Sequence, residues 1–107
     1  MEKFDFSKLP RPGAPAPMAY LICPRQHASS VALIDRKWTP APHGSRERPL
    51  WRDAAGRIIG LITSADRLRG LPRGTVLILG YGFHKMPDAS EALGVARARD
   101  FTIEEAA

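Results

Sequence analysis

A seven-residue loop contains the residues best suited to chemistry. The segment Gly80–Met86, GYGFHKM, combines two glycines with a histidine and a lysine. Glycines allow backbone N–H groups to approach a phosphate closely, and Lys85 would supply a counter-charge. The apolar run Thr75–Leu79 precedes the loop and helical signals follow it, so the loop joins the carboxyl end of a strand to the amino end of a helix. That junction is the usual position of a ligand in an open α/β sheet.

Two other predicted strands also end in polar loops. Met18–Cys23 runs into Arg25, and Arg57–Ile62 runs into Ser64. If the three strands lie parallel and side by side, their carboxyl ends form one edge that can hold an anionic ligand. The ligand-binding residues predicted for this edge are Arg25, Ser64, Gly80, Gly82, His84 and Lys85. The alternative is that the glycines only turn the chain and that Ser64 caps a helix.

A second candidate site is rich in arginine. The guanidinium group of one arginine can bind two phosphate oxygens at once, and an exposed tryptophan can stack on a base. No helix-turn-helix, RNP pair or zinc knuckle accompanies these residues, so they predict contact with the phosphate backbone rather than sequence reading. The alternative is a charged surface that only keeps the protein in solution. The residues of this predicted nucleic-acid surface are Arg46, Arg48, Trp51, Arg52, Arg57, Arg67, Arg69 and Arg73.

The charge of the chain is unevenly distributed. Its formal net charge is +5. Residues 11–85 contain 12 Lys or Arg and 4 Asp or Glu, a balance of 12 − 4 = +8. Residues 86–107 contain 2 Arg and 5 acids, a balance of 2 − 5 = −3. A basic body of this kind favours a polyanionic partner such as nucleic acid or a nucleotide.

Several chemistries lack the residues that they need. The pair Gly80 and Gly82 has no third glycine at dinucleotide-binding spacing, and no phosphate-binding P-loop sequence occurs. One cysteine and three scattered histidines provide no zinc spacing, and Cys23 cannot form an internal disulfide. We therefore predict a protein without metal or cofactor that is more binding module than enzyme. No apolar run approaches the roughly 20 residues of a membrane span, and we expect a cytoplasmic location.

The chain order predicts an amino-terminal arm followed by one domain. Residues 1–17 carry four prolines and are expected to form an extended arm, and residues 18–107 are expected to fold as a single α/β domain. Arg25–Ser30 is predicted to be a loop. Val31–Trp38 is left open between strand, which its β-branched residues favour, and helix. Thr39–Pro49 is a loop rich in proline and charge.

The second half of the chain predicts strands that alternate with helices. Leu50–Arg52 and Arg57–Ile62 form a β-hairpin in which Trp51 packs across onto Ile58 or an edge of the core. A short helix, Ala65–Leu71, leads to the strand Thr75–Leu79. A longer helix runs from about Asp88 to Arg99, with Asp88 and Glu91 at capping-box spacing, and a last strand follows near Ile103. The helix is expected to pack through Ala92, Leu93, Val95 and Ala96.

These elements predict a small α/β domain with a mixed sheet, a parallel Rossmann-like βαβαβ core and a β-hairpin. The unit LPRGTVLILGYG followed by SEALGVARARDF is similar to the carboxyl-terminal unit of small Rossmann-like nucleotide-binding domains. A short basic domain with few motifs also resembles accessory proteins of phages and mobile elements, some of which inhibit host nucleoprotein defence complexes. The leading hypothesis is a non-enzymatic module for nucleic acid or a nucleoprotein. The alternative is a nucleotide-binding or nucleotide-processing domain that uses Gly80–Met86.

Overall fold

The structure, a computed structural model, describes residues 17–105. The predicted arm therefore lies outside the described residues, apart from Pro17. Six strands form one mixed sheet in the order β2-β3-β4-β1-β5-β6. Their bounds are β1 Ala19–Ile22, β2 Thr39–Pro40, β3 Trp51–Arg52, β4 Ile58–Ile62, β5 Val76–Leu79 and β6 Thr102–Glu105.

The centre of the sheet is parallel, as predicted. Strand β1 lies between β4 and β5, so that Leu21 is level with Leu61 on one side and Ile78 on the other. Strand β6 continues the parallel set beyond β5. Strands β3 and β4 pair in antiparallel fashion and confirm the predicted hairpin. The fold class predicted from the sequence, a small α/β domain with a mixed sheet, is therefore confirmed.

Both faces of the sheet are covered because the apolar strands alternate their side chains between two cores. One core contains Ile22, Leu77 and the fully buried Phe83, and the other contains Leu21 and Ile78. Helix α2, Ala89–Ala98, covers the first core through the four residues predicted for it, with Ala92 and Ala96 buried and Leu93 and Val95 packed beside them.

The segment after β1 differs from the prediction. Arg25–Ser29 forms a short helix, α1, instead of a loop, and Ser30–Asp35 continues it as a π-helix. The question left open for Val31–Trp38 is thus answered as helix over most of its length. Val31 and Ala32 are buried against the second core, and this packing outweighs the strand preference of the β-branched residues. Within the predicted loop Thr39–Pro49, the first two residues form the edge strand β2.

Trp51 agrees with only part of its prediction. It is level with Ile59 rather than Ile58, and only 4% of its surface is exposed. Its ring lies 6.1 Å from the ring of Trp38 inside the second core. A tryptophan that fills the core cannot stack on a base, so Trp51 does not belong to the predicted nucleic-acid surface, whereas its predicted packing against the core agrees with the structure.

The helix caps also differ from their predictions. Ser64 precedes the 3₁₀ helix Ala65–Gly70 but makes no side-chain cap bond, and neither does Asp88 to its own helix α2. Instead the Asp88 Oδ2 accepts a 2.6 Å hydrogen bond from the Ala65 N–H. The capping-box spacing of Asp88 and Glu91 therefore does not produce a capping box here.

Candidate functional site

The candidate site lies where the parallel strands end. The carboxyl ends of β4, β1 and β5 are neighbours, so the loops that follow them share one edge of the sheet. The segment 41–50 reaches the same edge, because β3 runs antiparallel to β4 and the chain that precedes Trp51 therefore runs toward the carboxyl end of β4. Four chain segments therefore meet at one place, which is the position where open α/β sheets bind ligands.

A cavity of about 390 Å³ opens at this edge. We call it the cationic cavity. Its apolar walls include Leu50 and Leu61, and Glu47 is its only acidic lining residue within the range 17–105. The polar and basic side chains that line it come from separate elements, and they are Tyr20, Arg25, His43, Arg48, Thr63 and Arg67.

Arg25 fixes the shape of the cavity. Its guanidinium donates hydrogen bonds to the carbonyl oxygens of Arg46 at 3.0 Å and of Glu47 at 2.9 Å. The loop is braced internally as well, because the Arg48 N–H donates to the Ser45 Oγ and the Ser45 N–H donates to the Arg48 carbonyl, both at 3.0 Å. These bonds tie the loop to the start of α1, so Arg25 and the backbone of the loop are positioned before any ligand binds.

The cavity is electrostatically positive. Three arginines face one glutamate, and neither Arg48 nor Arg67 forms an ion pair with any residue of the described part of the chain. Burial raises the pKa of the Tyr20 phenol, and the charge of Arg67 opposes that rise. The Tyr20 hydroxyl is therefore neutral at physiological pH, when it can donate or accept a hydrogen bond.

The predicted arginine surface is divided by the fold. Arg48 and Arg67 line the cationic cavity, and Arg46 lies in the same loop. Arg52 is exposed on β3 with no ion-pair partner among residues 17–105. The other three predicted arginines are neutralised: Arg57 by Asp53 and Glu104, Arg69 by Asp66 and Glu91, and Arg73 by Asp100.

Arg57 has a structural role. Its guanidinium bonds to Asp53 at 2.9 Å in the hairpin turn and to Glu104 at 3.1 Å on β6. The hydrogen bond and charge of Glu104, with those of Asp53, raise the pKa of Arg57 against the opposing effect of burial. Burial alone would raise the pKa of the Asp53 carboxyl, but hydrogen bonds from Arg57 and Ala55 outweigh it and lower that pKa. An arginine held in this way has few free donors for a phosphate.

The predicted glycine loop faces a different cavity. A second opening of about 400 Å³, which we call the acidic groove, is lined by Gly80, Tyr81, Gly82 and His84 together with Asp35 and Glu105. The His84 Nε2 lies 3.9 Å from the Glu105 carboxylate. Two carboxylates beside the loop oppose the approach of a phosphate.

Packing accounts for both glycines of this loop. A Cβ atom on Gly80 would lie 2.8 Å from the Leu21 Cδ1. Gly82 has a φ of +86°, and a Cβ atom there would lie 3.0 Å from the His27 Cδ2 and 3.2 Å from Pro24. These positions need glycine because the loop packs against β1 and the start of α1, which is the turning role weighed as the alternative.

The predicted ligand residues are thus not brought together as one set. Arg25 lines the cationic cavity, whereas Gly80, Gly82 and His84 line the acidic groove. Ser64 and Lys85 line neither cavity. Sequence reasoning missed Tyr20 and His43 as cavity residues. The antiparallel hairpin was the available signal, since it sends the residues before Trp51 toward the carboxyl end of β4.

The described residues do not favour metal or thiol chemistry. Residues 17–105 contain no group of three or more His, Cys, Asp or Glu placed to hold a metal ion. Cys23 is fully buried in the second core, and burial raises its pKa to about 11. A thiol with that pKa is protonated at neutral pH and therefore a poor nucleophile.

In comparisons with known proteins, no family model, no curated protein and no solved structure matches this chain. None of the helices described within residues 17–105 has the length and hydropathy needed to span a bilayer.

Proposed function

We propose that this protein is a non-enzymatic binding module for nucleic acid whose phosphate contacts are centred on the cationic cavity. The observation that carries the proposal is the convergence of Arg25, Arg48 and Arg67 on one cavity from three separate segments of the chain. Arginine stays charged at all physiological pH values, and one guanidinium group can bind two phosphate oxygens at once. These properties suit a residue that holds a phosphate rather than one that transfers a proton.

The surroundings of the cavity extend the same surface. Arg46 and Arg52 are exposed and have no ion-pair partner within residues 17–105, so their charge is available to a phosphate chain. The excess of positive charge in residues 11–85 favours the approach of a polyanion from a distance. The paired arginines Arg57, Arg69 and Arg73 are left out of the proposed contacts.

The proposal is tested by comparing two charge reversals of equal size. Arg48→Glu with Arg67→Glu changes the cavity, and Arg73→Glu with Arg97→Glu changes two exposed arginines outside it. We expect the first pair to weaken binding of a labelled single-stranded oligonucleotide at least tenfold more than the second, in fluorescence polarisation at fixed salt. Equal losses would show that net charge alone drives binding and would remove the cavity from the proposal.

Salt dependence gives an independent measurement. If about three phosphates are contacted, the logarithm of the wild-type affinity falls with the logarithm of salt at a slope of about −2, or roughly 20-fold between 50 and 200 mM. The cavity variant should show a shallower slope. Replacement of Arg46, Arg48 and Arg52 together by Glu should abolish retention on heparin and oligonucleotides, and unchanged retention contradicts the proposal.

A nucleotide-binding function is the second candidate, and the volume of the cationic cavity favours it. A cavity of about 390 Å³ falls within the range of pockets that enclose small ligands. In a thermal-shift screen, a nucleotide at 100 times its dissociation constant should add about 2.7 kcal/mol of stability. We expect Arg48→Ala to remove the shift and Gly82→Ala, which changes the acidic groove, to leave it in place when each variant is compared with its own unliganded form.

The finer parts of the hypothesis remain proposals. One such part is a nucleoprotein partner, and another is the inhibition of a host complex by a phage or mobile-element protein. A pull-down with and without nuclease distinguishes both from direct nucleic-acid binding. Capture that survives nuclease treatment indicates a protein contact. The cytoplasmic location is likewise a prediction, which localisation of a tagged chain in the host cell would test.

A further inference from the structure

We propose that the cationic cavity selects a phosphate monoester, as found at the end of a nucleic-acid strand or on a free nucleotide, over the phosphodiesters inside a strand. This inference rests on the proposed function and specifies the ligand of the same site. Three observations lead to it: the convergence of the arginines on one cavity, the charge of that cavity, and the hydrogen bonds that hold Arg25.

The arrangement of the basic residues suits one phosphate group rather than a continuous strand. Sites that track a single strand without reading it are grooves that extend over several nucleotides. Here the basic groups converge instead, because Arg25 follows β1, Arg48 precedes β3 and Arg67 lies in the 3₁₀ helix after β4. Leu50 and Leu61 contribute apolar walls to the same cavity. One terminal group fits such an arrangement, with the remainder of a strand outside.

The charge of the cavity matches that of a monoester. Three arginines and one glutamate give a lining charge of 3 − 1 = +2, with His43 counted as neutral. A phosphate monoester carries about −1.5 to −2 charges at pH 7 and three terminal oxygens, whereas a diester carries one charge and has two. Convergent guanidinium groups therefore gain more from the monoester than from the diester.

The Arg25 guanidinium is held in position and still has N–H groups without a partner within residues 17–105. Arg25 uses one N–H of each terminal nitrogen to hold the carbonyls of Arg46 and Glu47, which leaves three of its five N–H groups for a ligand. The loop that carries Arg48 is held in place by the same bonds. Arg25 is the one cavity arginine that hydrogen bonds hold in place, and the exposed side chains of Arg48 and Arg67 form no hydrogen bond within residues 17–105, so all their N–H groups are available to the phosphate.

The test uses one oligonucleotide sequence with three kinds of end: a 5′-phosphate, a 3′-phosphate, or hydroxyls at both ends. We expect the wild type to bind at least one phosphorylated form tenfold or more tightly than the hydroxyl form. Arg48→Ala and Arg67→Ala should each reduce that ratio to near one, and Arg97→Ala, on the exposed side of α2, should leave it unchanged. Circular dichroism of each variant establishes that it is folded.

A mononucleotide and inorganic phosphate, used as competitors, identify the source of the monoester. If the mononucleotide competes at a concentration close to its own dissociation constant, the ligand of the cavity is a free nucleotide. If the protein prefers a phosphorylated strand and the mononucleotide does not compete, the ligand is the end of a strand. Equal binding of all three oligonucleotides overturns the inference and leaves the proposed nucleic-acid function intact. Absence of binding to every oligonucleotide and to the mononucleotide overturns both.

Discussion

The Asp88 carboxylate accepts a 2.6 Å hydrogen bond from the backbone N–H of Ala65. The residue that precedes helix α2 therefore caps a different helix, the 3₁₀ helix Ala65–Gly70 that carries Arg67. The bond joins the two helices on one face of the sheet and holds the start of the segment from which Arg67 reaches the cationic cavity.

Replacing Asp88 tests this shared cap. Asp88→Ala leaves the N–H of the buried Ala65 without its acceptor, and we expect a loss of about 1–2 kcal/mol in the free energy of unfolding, measured in urea. Ser64→Ala is the matched control, because Ser64 occupies the cap position but makes no side-chain cap bond. A larger loss in the Ser64 variant than in the Asp88 variant would contradict the assignment.

The Asp53–Arg57 pair predicts a stability that depends on pH. The folded state lowers the pKa of Asp53, so its contribution is present above the unfolded pKa of about 3.9 and disappears as the pH falls through the folded value. Asp53→Asn keeps an oxygen that can accept the turn hydrogen bonds but loses the charge. We expect it to be less stable than the wild type by about 1 kcal/mol at pH 7, and we expect this difference to shrink as the pH falls below about 3.9. A difference that persists unchanged near pH 2 would assign the effect to the turn instead.

Two glycines make a matched comparison. Gly82→Ala places a Cβ atom against His27 at a φ of +86°, and we expect it to destabilise the protein by about 1–2 kcal/mol. Gly94→Ala lies on the exposed face of α2 with no atom within 4 Å of its new Cβ, and it should stabilise by about 0.5–1 kcal/mol. Thermal unfolding of both variants measures the contrast, and two changes of the same sign would refute the packing argument.

The burial of both tryptophans predicts that their fluorescence responds weakly to a quencher and does not respond to an oligonucleotide. Trp38 and Trp51 are 6% and 4% exposed, so acrylamide should quench both weakly. Addition of an oligonucleotide should not shift their emission, because neither ring can reach a base. Strong quenching, or a shift on binding, would show that Trp51 is exposed, as its predicted place in the nucleic-acid surface requires.

The sequence was sufficient for the features that depend on local patterns. Apolar runs with β-branched residues located β1, β4 and β5, and the short crossovers implied that these strands are parallel. The helical segment after β1 was predicted only in part: Arg25–Ser30 was expected to be a loop, and Val31–Trp38 was left open because burial of Val31 and Ala32 in the core, which outweighs local preference, is not visible in a local pattern.

Long-range pairs explain why the candidate site was predicted only in part. Whether an arginine is free for a ligand depends on acids far away in the chain, as with Arg73 and Asp100 or Arg57 and Glu104. Arg25 was placed at the correct edge because it follows a strong strand. The position of His43 required the register of β3 against β4, which no local pattern specifies.

The Arg57 bridge has a consequence for how the sheet opens. Strand β6 is at one edge of the sheet, and its Glu104 is tied by Arg57 to the hairpin turn at Asp53, beyond the parallel centre. Detachment of β6 therefore releases a bond that also holds the turn. Amide hydrogen exchange should report the two regions as one cooperative unit, with protection factors that fall together when Glu104 is replaced by Gln.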